Sequence, residues 1–98
     1  MSEKNPFEPI HPGEVLLEEY LKPLVISQNK LALNMRVAPQ RINEIVNCKR
    51  SITANTAIRL AKVIGTTPEF WLSLQADYDL QIVEEEMGAQ IEKEVMPI

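Results

Sequence analysis

Apolar residues recur at intervals of three and four positions along almost the whole chain, and no stretch alternates strictly between apolar and polar residues. That interval places apolar side chains on one face of an α-helix, whereas a half-buried β-strand requires a period of two. The chain has 98 residues, without an internal repeat or a low-complexity tract. It is therefore predicted to be all-α, with residues 1–98 forming a single domain, since this length is typical of one folding unit.

Signals for helix starts and stops divide the pattern into five helices. Proline suits the first position of a helix, and a serine or threonine side chain caps the residue before it. The predicted helices cover about residues 12–22, 27–34, 38–47, 53–64 and 68–87. Pro23 is expected to end the first helix near Lys22, and the tail from residue 88 is expected to be flexible. In the first helix the residues expected to be buried are Leu16, Leu17, Tyr20, Leu21 and Leu24.

Residues 27–47 have the pattern of a helix-turn-helix: a short helix, a tight connection and a second helix. The residues expected to lock the two helices together are Leu31, Ala32, Val37, Ile42 and Ile45. The second helix would then protrude with a polar, cationic outer face that can enter the major groove of DNA. An ordinary helical hairpin would show the same apolar pattern, so that pattern alone does not indicate DNA binding. The polar composition of the outer face is what favours DNA binding.

The formal net charge of −4 conceals a strong segregation of charge. Residues 22–62 carry eight basic residues and one acidic residue, Glu44, so this block has a charge of +7. Residues 1–21 carry −4 and residues 63–98 carry −7. The basic block contains the helix pair and supplies a positive potential that attracts nucleic acid, although a solvated surface without a partner is the alternative interpretation. The acidic ends are expected to point away from DNA.

The outer face of the second helix supplies the candidate DNA-contacting residues. Amide side chains can bond adenine at two points, and arginine can do the same with guanine. The predicted base-reading residues are Gln40, Arg41 and Asn43. The predicted phosphate-binding residues are Gln28, Lys49, Arg50, Arg36 and Thr53. Two alternatives stay open: Arg41 could equally hold a phosphate, and Glu44 could form an ion pair rather than read cytosine. Gln28 is also expected to orient Gln40, whereas Arg59 and Lys62 are expected to be solvated.

The fifth helix carries more apolar surface than one core needs. One stripe, expected to cover the other helices, contains Trp71, Leu74, Tyr78 and Ile82. A second stripe lies about 100° around the helix. The residues of this second stripe predicted to form a homodimer interface are Leu72, Ala76, Leu80 and Val83, with Met87 beyond them. A second copy of the chain is the simplest partner for such a surface.

Several classes of function have no support in the sequence. The single cysteine, Cys48, and the single histidine, His11, cannot build a disulfide framework or a cage of cysteine or histidine metal ligands. Neither a glycine-rich phosphate loop nor a Ser/His/Asp set stands in a plausible context. We expect no enzymatic activity, no cofactor and no metal. A secretion signal and an apolar run of about 20 residues are also missing, so a cytoplasmic protein without membrane association is expected.

Segments between residues 11 and 80 resemble a known family; they read HPGEVLLEEYLKPL, SQNKLA, VAPQRINEIVNCKRSITANTAIRLAKVIGTTPEFWLSLQ and YDL. They are similar to the XRE-type helix-turn-helix proteins, and more closely to the HigA antitoxins, also called virulence-associated protein I (VapI). The resemblance implies a five-helix, lambda-repressor-like DNA-binding domain. It further implies a sequence-specific regulator of a HigBA-type toxin–antitoxin pair, which represses its own operon and neutralises a small, basic, RelE-like ribonuclease toxin.

The chain departs from this family at two positions. Cys48 stands just after the second helix of the motif, where the family usually has glycine, and Lys30 stands where the family often has an acid. Glycine at the first position implies a left-handed backbone, which we therefore expect at Cys48. Neither departure removes a predicted DNA contact.

Two alternatives within the binding proteins stay open. The chain could be a stand-alone XRE-type repressor without a toxin partner, and a neighbouring gene for a small basic protein would decide between them. It could also be a protein-binding antitoxin that has lost DNA binding, but the cationic face formed by Gln40, Arg41 and Asn43 argues against this.

The +7 block predicts that binding to operator DNA weakens steeply with salt. Contact with about six phosphates per dimer gives a log–log slope of affinity against salt on the order of −5, because each neutralised phosphate releases condensed counterions. The measurement is a titration of promoter DNA from low to moderate salt. A slope near zero would contradict DNA binding by this block.

Overall fold

Residues 8–98, which the computed structural model describes, form helices and no strand. Helix α1 is continuous through the segments Pro12–Val15, Leu16–Leu21 and Lys22–Leu24, and its middle segment is π-helical. The other helices are α2 (Gln28–Met35), α3 (Pro39–Val46), α4 (Ala54–Ile64) and α5 (Pro68–Glu94). The prediction of an all-α fold is confirmed. None of the helices in the described range is long and apolar enough to cross a membrane.

The helix starts agree with the capping signals in the sequence. The Ser27 hydroxyl accepts a hydrogen bond from the Lys30 N–H at 3.0 Å, and Thr67 accepts one from the Phe70 N–H at 3.1 Å. Thr53 caps α4 in the same way. These contacts satisfy N–H groups that have no partner inside the helix, and each such cap stabilises its helix by about 1 kcal/mol.

The end of α1 differs from the prediction. The helix continues past Pro23 to Leu24, because the hydrogen bonds shift to a five-residue spacing before the proline: the Lys22 N–H donates to the Leu17 carbonyl. A proline ring clashes with the carbonyl four residues earlier in an α-helix, and the wider π-helical turn relieves that clash. Leu24, predicted to be buried, is 56% exposed at the helix end.

The end of α5 also lies later than predicted. The helix runs to Glu94, so residues 88–94, predicted as part of a flexible tail, are helical. Gly88 lowers the helix propensity by only about 1 kcal/mol, and the strong helix formers that follow it offset this. The Gln90 side chain also donates to Glu94, one turn later, at 3.0 Å.

The core lies where α1 to α4 meet the first half of α5. The largest fully buried side chains include Trp71, Leu16, Leu31, Ile42, Ile45 and Leu60. Trp71 donates its indole N–H to the Thr66 hydroxyl at 2.7 Å, which satisfies the polar atom of an otherwise apolar side chain. Leu74, Tyr78 and Ile82 are half-buried along the same side of α5.

Three helices end at a residue with a left-handed backbone that is not glycine: Val25, Arg36 and Cys48 have φ values of 55°, 60° and 62°. The conformation expected at Cys48 is therefore confirmed. The Cys48 N–H donates to the Ile45 carbonyl at 3.0 Å and the Lys49 N–H to the Glu44 carbonyl at 2.8 Å. This pair of bonds is a Schellman motif, which satisfies the carbonyls at the end of α3 and requires the left-handed residue.

Replacing Cys48 with glycine is expected to raise the free energy of unfolding by about 0.5–1 kcal/mol. Glycine removes a left-handed strain of roughly 1–2 kcal/mol, and its greater freedom in the unfolded chain takes back something under about 1 kcal/mol. Urea denaturation measures the change. Cys48→Ala is the matched control, because it removes the thiol and keeps the Cβ. An equal gain for both variants would mean that strain at this position is not the cause.

Candidate nucleic-acid interface

Helix α3 presents a polar face to solvent along most of its length. Its apolar residues Ile42, Ile45 and Val46 are buried on one side, so Gln40, Asn43 and Asn47 are exposed on the other. Ala38 precedes the helix in an extended conformation and Pro39 occupies its first turn. The predicted start of this helix is therefore confirmed, and the residues predicted to read bases lie in its first two turns.

The start of α1 packs closely against the C-terminal end of α3. Gly13 has no Cβ, and a Cβ there would overlap the carbonyl oxygen of Ile45. His11 caps α1 by accepting a hydrogen bond from the Gly13 N–H on its Nδ1 at 2.9 Å. Its ring contacts the ring of Tyr78 in α5 edge-on, with 4.9 Å between the ring centroids. Burial lowers the pKa of His11, although the charges of Asp79 and Glu14 oppose the shift. The neutral ring, which accepts the Gly13 N–H, is thus the favoured form.

A buried glutamine fixes the loop that follows α3. Gln75 of α5 accepts the Ile52 N–H on its Oε1 at 2.8 Å and donates its Nε2 to Asp79 at 2.9 Å. A buried backbone N–H without a partner would be destabilising, so this side chain satisfies the loop and ties it to α5. Lys49 and Arg50, which precede Ile52 in this loop, are thereby held close to α3.

Gln28 contacts a different residue from the one predicted. Its Oε1 accepts a hydrogen bond from the Asn43 Nδ2 at 3.3 Å, so it orients Asn43 rather than Gln40. The reason is the helical rotation: Asn43 is three positions after Gln40, so it lies about 60° around the helix axis and faces the start of α2. Asn47 donates to the Asn43 backbone carbonyl at 2.9 Å.

A concavity of about 360 Å³ lies between α3 and the start of α4. Its lining residues are Arg41, Arg50, Ser51, Thr53, Asn55 and Thr56. The Arg50 guanidinium lies 2.9 Å from the Glu44 carboxylate, so the ion pair that the sequence left open for Glu44 is the one that forms. Three of the predicted DNA-contacting residues, Arg41, Arg50 and Thr53, therefore line one surface.

The other predicted cations are placed differently. Lys49 is exposed next to Arg50, but Arg36 lines a separate groove with Leu33, Asn34 and Val63. Arg59, predicted to be solvated, is exposed and in addition donates to the Met35 carbonyl at the end of α2 at 2.9 Å. Sequence reasoning could not find this bond, because 24 residues separate its partners.

Two asparagines at or near this surface, Asn47 and Asn55, received no role from the sequence. Asn47 is one helical turn from Asn43, and that spacing is the signal that could have identified it. Asn55 lies on another helix and contacts Arg41 only through the fold. No short-range signal points to that contact.

The predicted dimer stripe lies on α5. Ala76, Leu80 and Val83 are exposed and Leu72 is half-buried, while Met87 and Ile91 continue the exposed apolar line toward the end of the helix. Leu80 is 62% exposed, which is unusual for a leucine in the middle of a helix.

The polar outer helix, set on a short preceding helix and braced by α1, α4 and α5, defines a helix-turn-helix protein. A family model described as helix-turn-helix matches residues 17–71. Virulence-associated protein I of Dichelobacter nodosus is 49% identical over 83 residues, which cover 85% of this chain and 77% of that protein. The chain belongs to the helix-turn-helix family, in the group that includes virulence-associated protein I and the HigA proteins.

Solved structures agree with this assignment. A HigA-family addiction module antidote protein from Coxiella burnetii superposes with a TM-score of 0.87 at 50% identity, covering 93% of this chain and 99% of that one. The Pseudomonas aeruginosa antitoxin HigA, solved with the higBA promoter, has a TM-score of 0.89 at 41% identity, with coverage of 93% and 99%. The lambda-repressor-like arrangement of five helices is thus confirmed.

Replacing Asn43 or Gln40 with alanine is expected to weaken binding to the cognate site by about 1–3 kcal/mol and binding to random DNA very little, because a base contact is lost. Fluorescence anisotropy with both DNAs measures the difference. Lys49→Ala is the comparison, since losing a phosphate contact weakens both DNAs about equally. If all three variants weaken both DNAs alike, the division into base-reading and phosphate-binding residues is wrong.

Proposed function

We propose that this protein is a sequence-specific transcriptional regulator, the antitoxin of a HigBA-type pair, which binds the operator of its own operon and represses it. The observation that carries the proposal is the exposed polar face of α3 on a helix-turn-helix scaffold. The Pseudomonas aeruginosa HigA bound to the higBA promoter supports it, since 41% identity across nearly the whole chain accompanies the same fold. Operator DNA is the first partner that we propose.

The proposed roles follow from the position of each side chain. Gln40 and Asn43 read base edges in the major groove, and Gln28 holds Asn43 in place. Arg41 contacts either a base or a phosphate. Phosphate contacts come from Gln28, Lys49, Arg50 and Thr53, and Arg36 contributes a more distant one.

A homodimer completes the proposed regulator. The stripe of half-buried Leu72 and exposed Ala76, Leu80 and Val83 packs against its copy on a two-fold axis, because an isologous contact covers the same apolar surface on both subunits. Two recognition helices are then presented to successive turns of the major groove, which raises both affinity and selectivity.

The second proposed partner is a basic, RelE-like ribonuclease toxin. The last part of α5 is acidic: Glu84, Glu85, Glu86, Glu92 and Glu94 stand against one basic residue, Lys93, from residue 84 to residue 94. That charge complements a basic protein and leaves the basic surface around α3 to DNA.

A stand-alone repressor would use the same α3 surface without such a partner. In a protein-binding antitoxin without DNA binding, the exposed amides of α3 would have no ligand to contact. We place the proposed activity in the cytoplasm, where operator DNA is accessible.

The deciding experiment is a pull-down of the full chain from native lysate, with identification of the protein and the DNA that come down. Promoter DNA together with a small basic protein supports the antitoxin. Promoter DNA alone supports the stand-alone repressor, and protein without DNA supports the protein-binding alternative.

The proposed dimer predicts the operator. Its two α3 helices should lie about 34 Å apart, one turn of DNA, so that inverted half-sites are spaced by about 10 base pairs centre to centre. Footprinting of the promoter measures that spacing. Leu80→Glu should convert the dimer to a monomer and weaken operator binding, whereas Asp77→Glu, a conservative change on the same helix, should do neither. Sedimentation showing only monomer at micromolar concentration, with and without DNA, would contradict the dimer.

A further inference from the structure

Asn55, in the first turn of α4, hydrogen-bonds to arginines from two helices. Its Oδ1 accepts from Arg59 Nε at 2.9 Å and from Arg41 Nη1 at 3.5 Å. Arg59 in turn donates its Nη1 to the Met35 carbonyl at 2.9 Å. A line of hydrogen bonds thus runs from the end of α2, across α4, to α3. Because Arg59 anchors the Asn55 carboxamide, Asn55 restrains the Arg41 guanidinium rather than following it.

The direction of that restraint is away from Asn43. Asn43 is two positions after Arg41 in the helix, so their side chains leave α3 about 160° apart. Asn43 turns to α2, where it meets Gln28, and Arg41 turns to α4, where it meets Asn55. The two side chains therefore stand on opposite flanks of α3, and they cannot address the same edge of a base pair.

The flank that Arg41 occupies has the chemistry of a backbone contact. Arg41 shares its concavity with the guanidinium of Arg50 and the hydroxyls of Ser51 and Thr53. Arginines, hydroxyls and the N–H groups of helix starts are the groups that proteins direct at DNA phosphates. The exposed amides of Gln40 and Asn47 lie between this flank and Asn43.

We propose that Asn55 is a positioning residue that holds Arg41 beside the start of α4, so that Arg41 binds the DNA backbone and does not read a base. This inference rests on the proposed function and specifies one part of it. Gln40 and Asn43 then carry the direct readout. Asn55 acts through Arg41, by ordering the guanidinium before DNA arrives.

The test is a double-mutant cycle in the full-length protein: Arg41→Ala, Asn55→Ala and both together, with Lys62→Ala as a control that removes one exposed charge from α4. Anisotropy titrations use an operator fragment from the protein's own promoter, the set of its single-base-pair substitutions and a scrambled fragment of equal length. Each titration is repeated over a range of salt, and circular dichroism compares the folded state of all variants.

Arg41→Ala is expected to weaken operator and scrambled DNA by the same factor, to keep the base preference at every position and to reduce the salt slope by about two per dimer. Asn55→Ala is expected to weaken both DNAs by a common factor of about two- to tenfold per subunit, because the freed Arg41 must be ordered on binding. The double variant should bind no more weakly than Arg41→Ala alone, since Asn55 acts through Arg41. Lys62→Ala should leave the base preference and the affinity close to those of the parent.

Loss of discrimination at one base pair in Arg41→Ala would make Arg41 a base reader and overturn the inference. Additive effects in the double variant would also overturn it, because Asn55 would then act on DNA directly or through the stability of the fold. If the parent protein bound neither operator nor scrambled DNA, the proposed function itself would fail. Operator binding with an unexpected cycle would leave the proposed function standing and remove only the role of Asn55.

Discussion

The close approach of α1 to the end of α3 is the contact on which the rest of this structure depends. Gly13 lies against the backbone carbonyl of Ile45. A side chain at residue 13 would overlap this carbonyl and prevent the two helices from approaching so closely. His11 caps the same helix start and touches Tyr78 of α5. Helices α1, α3 and α5 therefore meet near the end of α3. Because a protein interior is closely packed, α3 cannot rotate there, and its polar face keeps a fixed direction.

Polar contacts at the other end of α3 divide its outer face between two neighbouring helices. The Gln28–Asn43 bond belongs to the α2 side, and the Arg41–Asn55 bond belongs to the α4 side. Short amide side chains suit this arrangement, since they combine a donor and an acceptor with few rotatable bonds. The ion pair between Glu44 and Arg50 joins the one acidic residue of the basic block to one of its eight cations, and the formal +7 already counts both.

Segregation of charge lets an acidic protein carry a surface for an anionic ligand. At physiological ionic strength, exposed charges more than about 8 Å apart are largely screened from one another. The local excess of positive charge near α3 therefore matters more than the net charge of −4. The acidic residues of α5 continue along a helix of which only the first half packs on the core, and this leaves their charge to a separate surface.

Much of this architecture follows from the sequence alone, because its signals are local. Capping side chains act within one turn, so Ser27, Thr53 and Thr67 mark helix starts that the structure reproduces. The three-and-four spacing of apolar residues likewise identifies the buried side of α3, and a family glycine replaced by Cys48 indicates the left-handed turn.

Helix ends were less predictable, since they depend on balances between neighbouring turns. A π-helical segment carries α1 past Pro23, and helix formers carry α5 past Gly88. Only the tertiary structure decided the contacts between helices: Gln28 with Asn43 rather than Gln40, and Arg41 with Asn55. Such pairs are 15 and 14 residues apart in the chain, and the crossing of packed helices, which no local pattern encodes, determines which side chains meet.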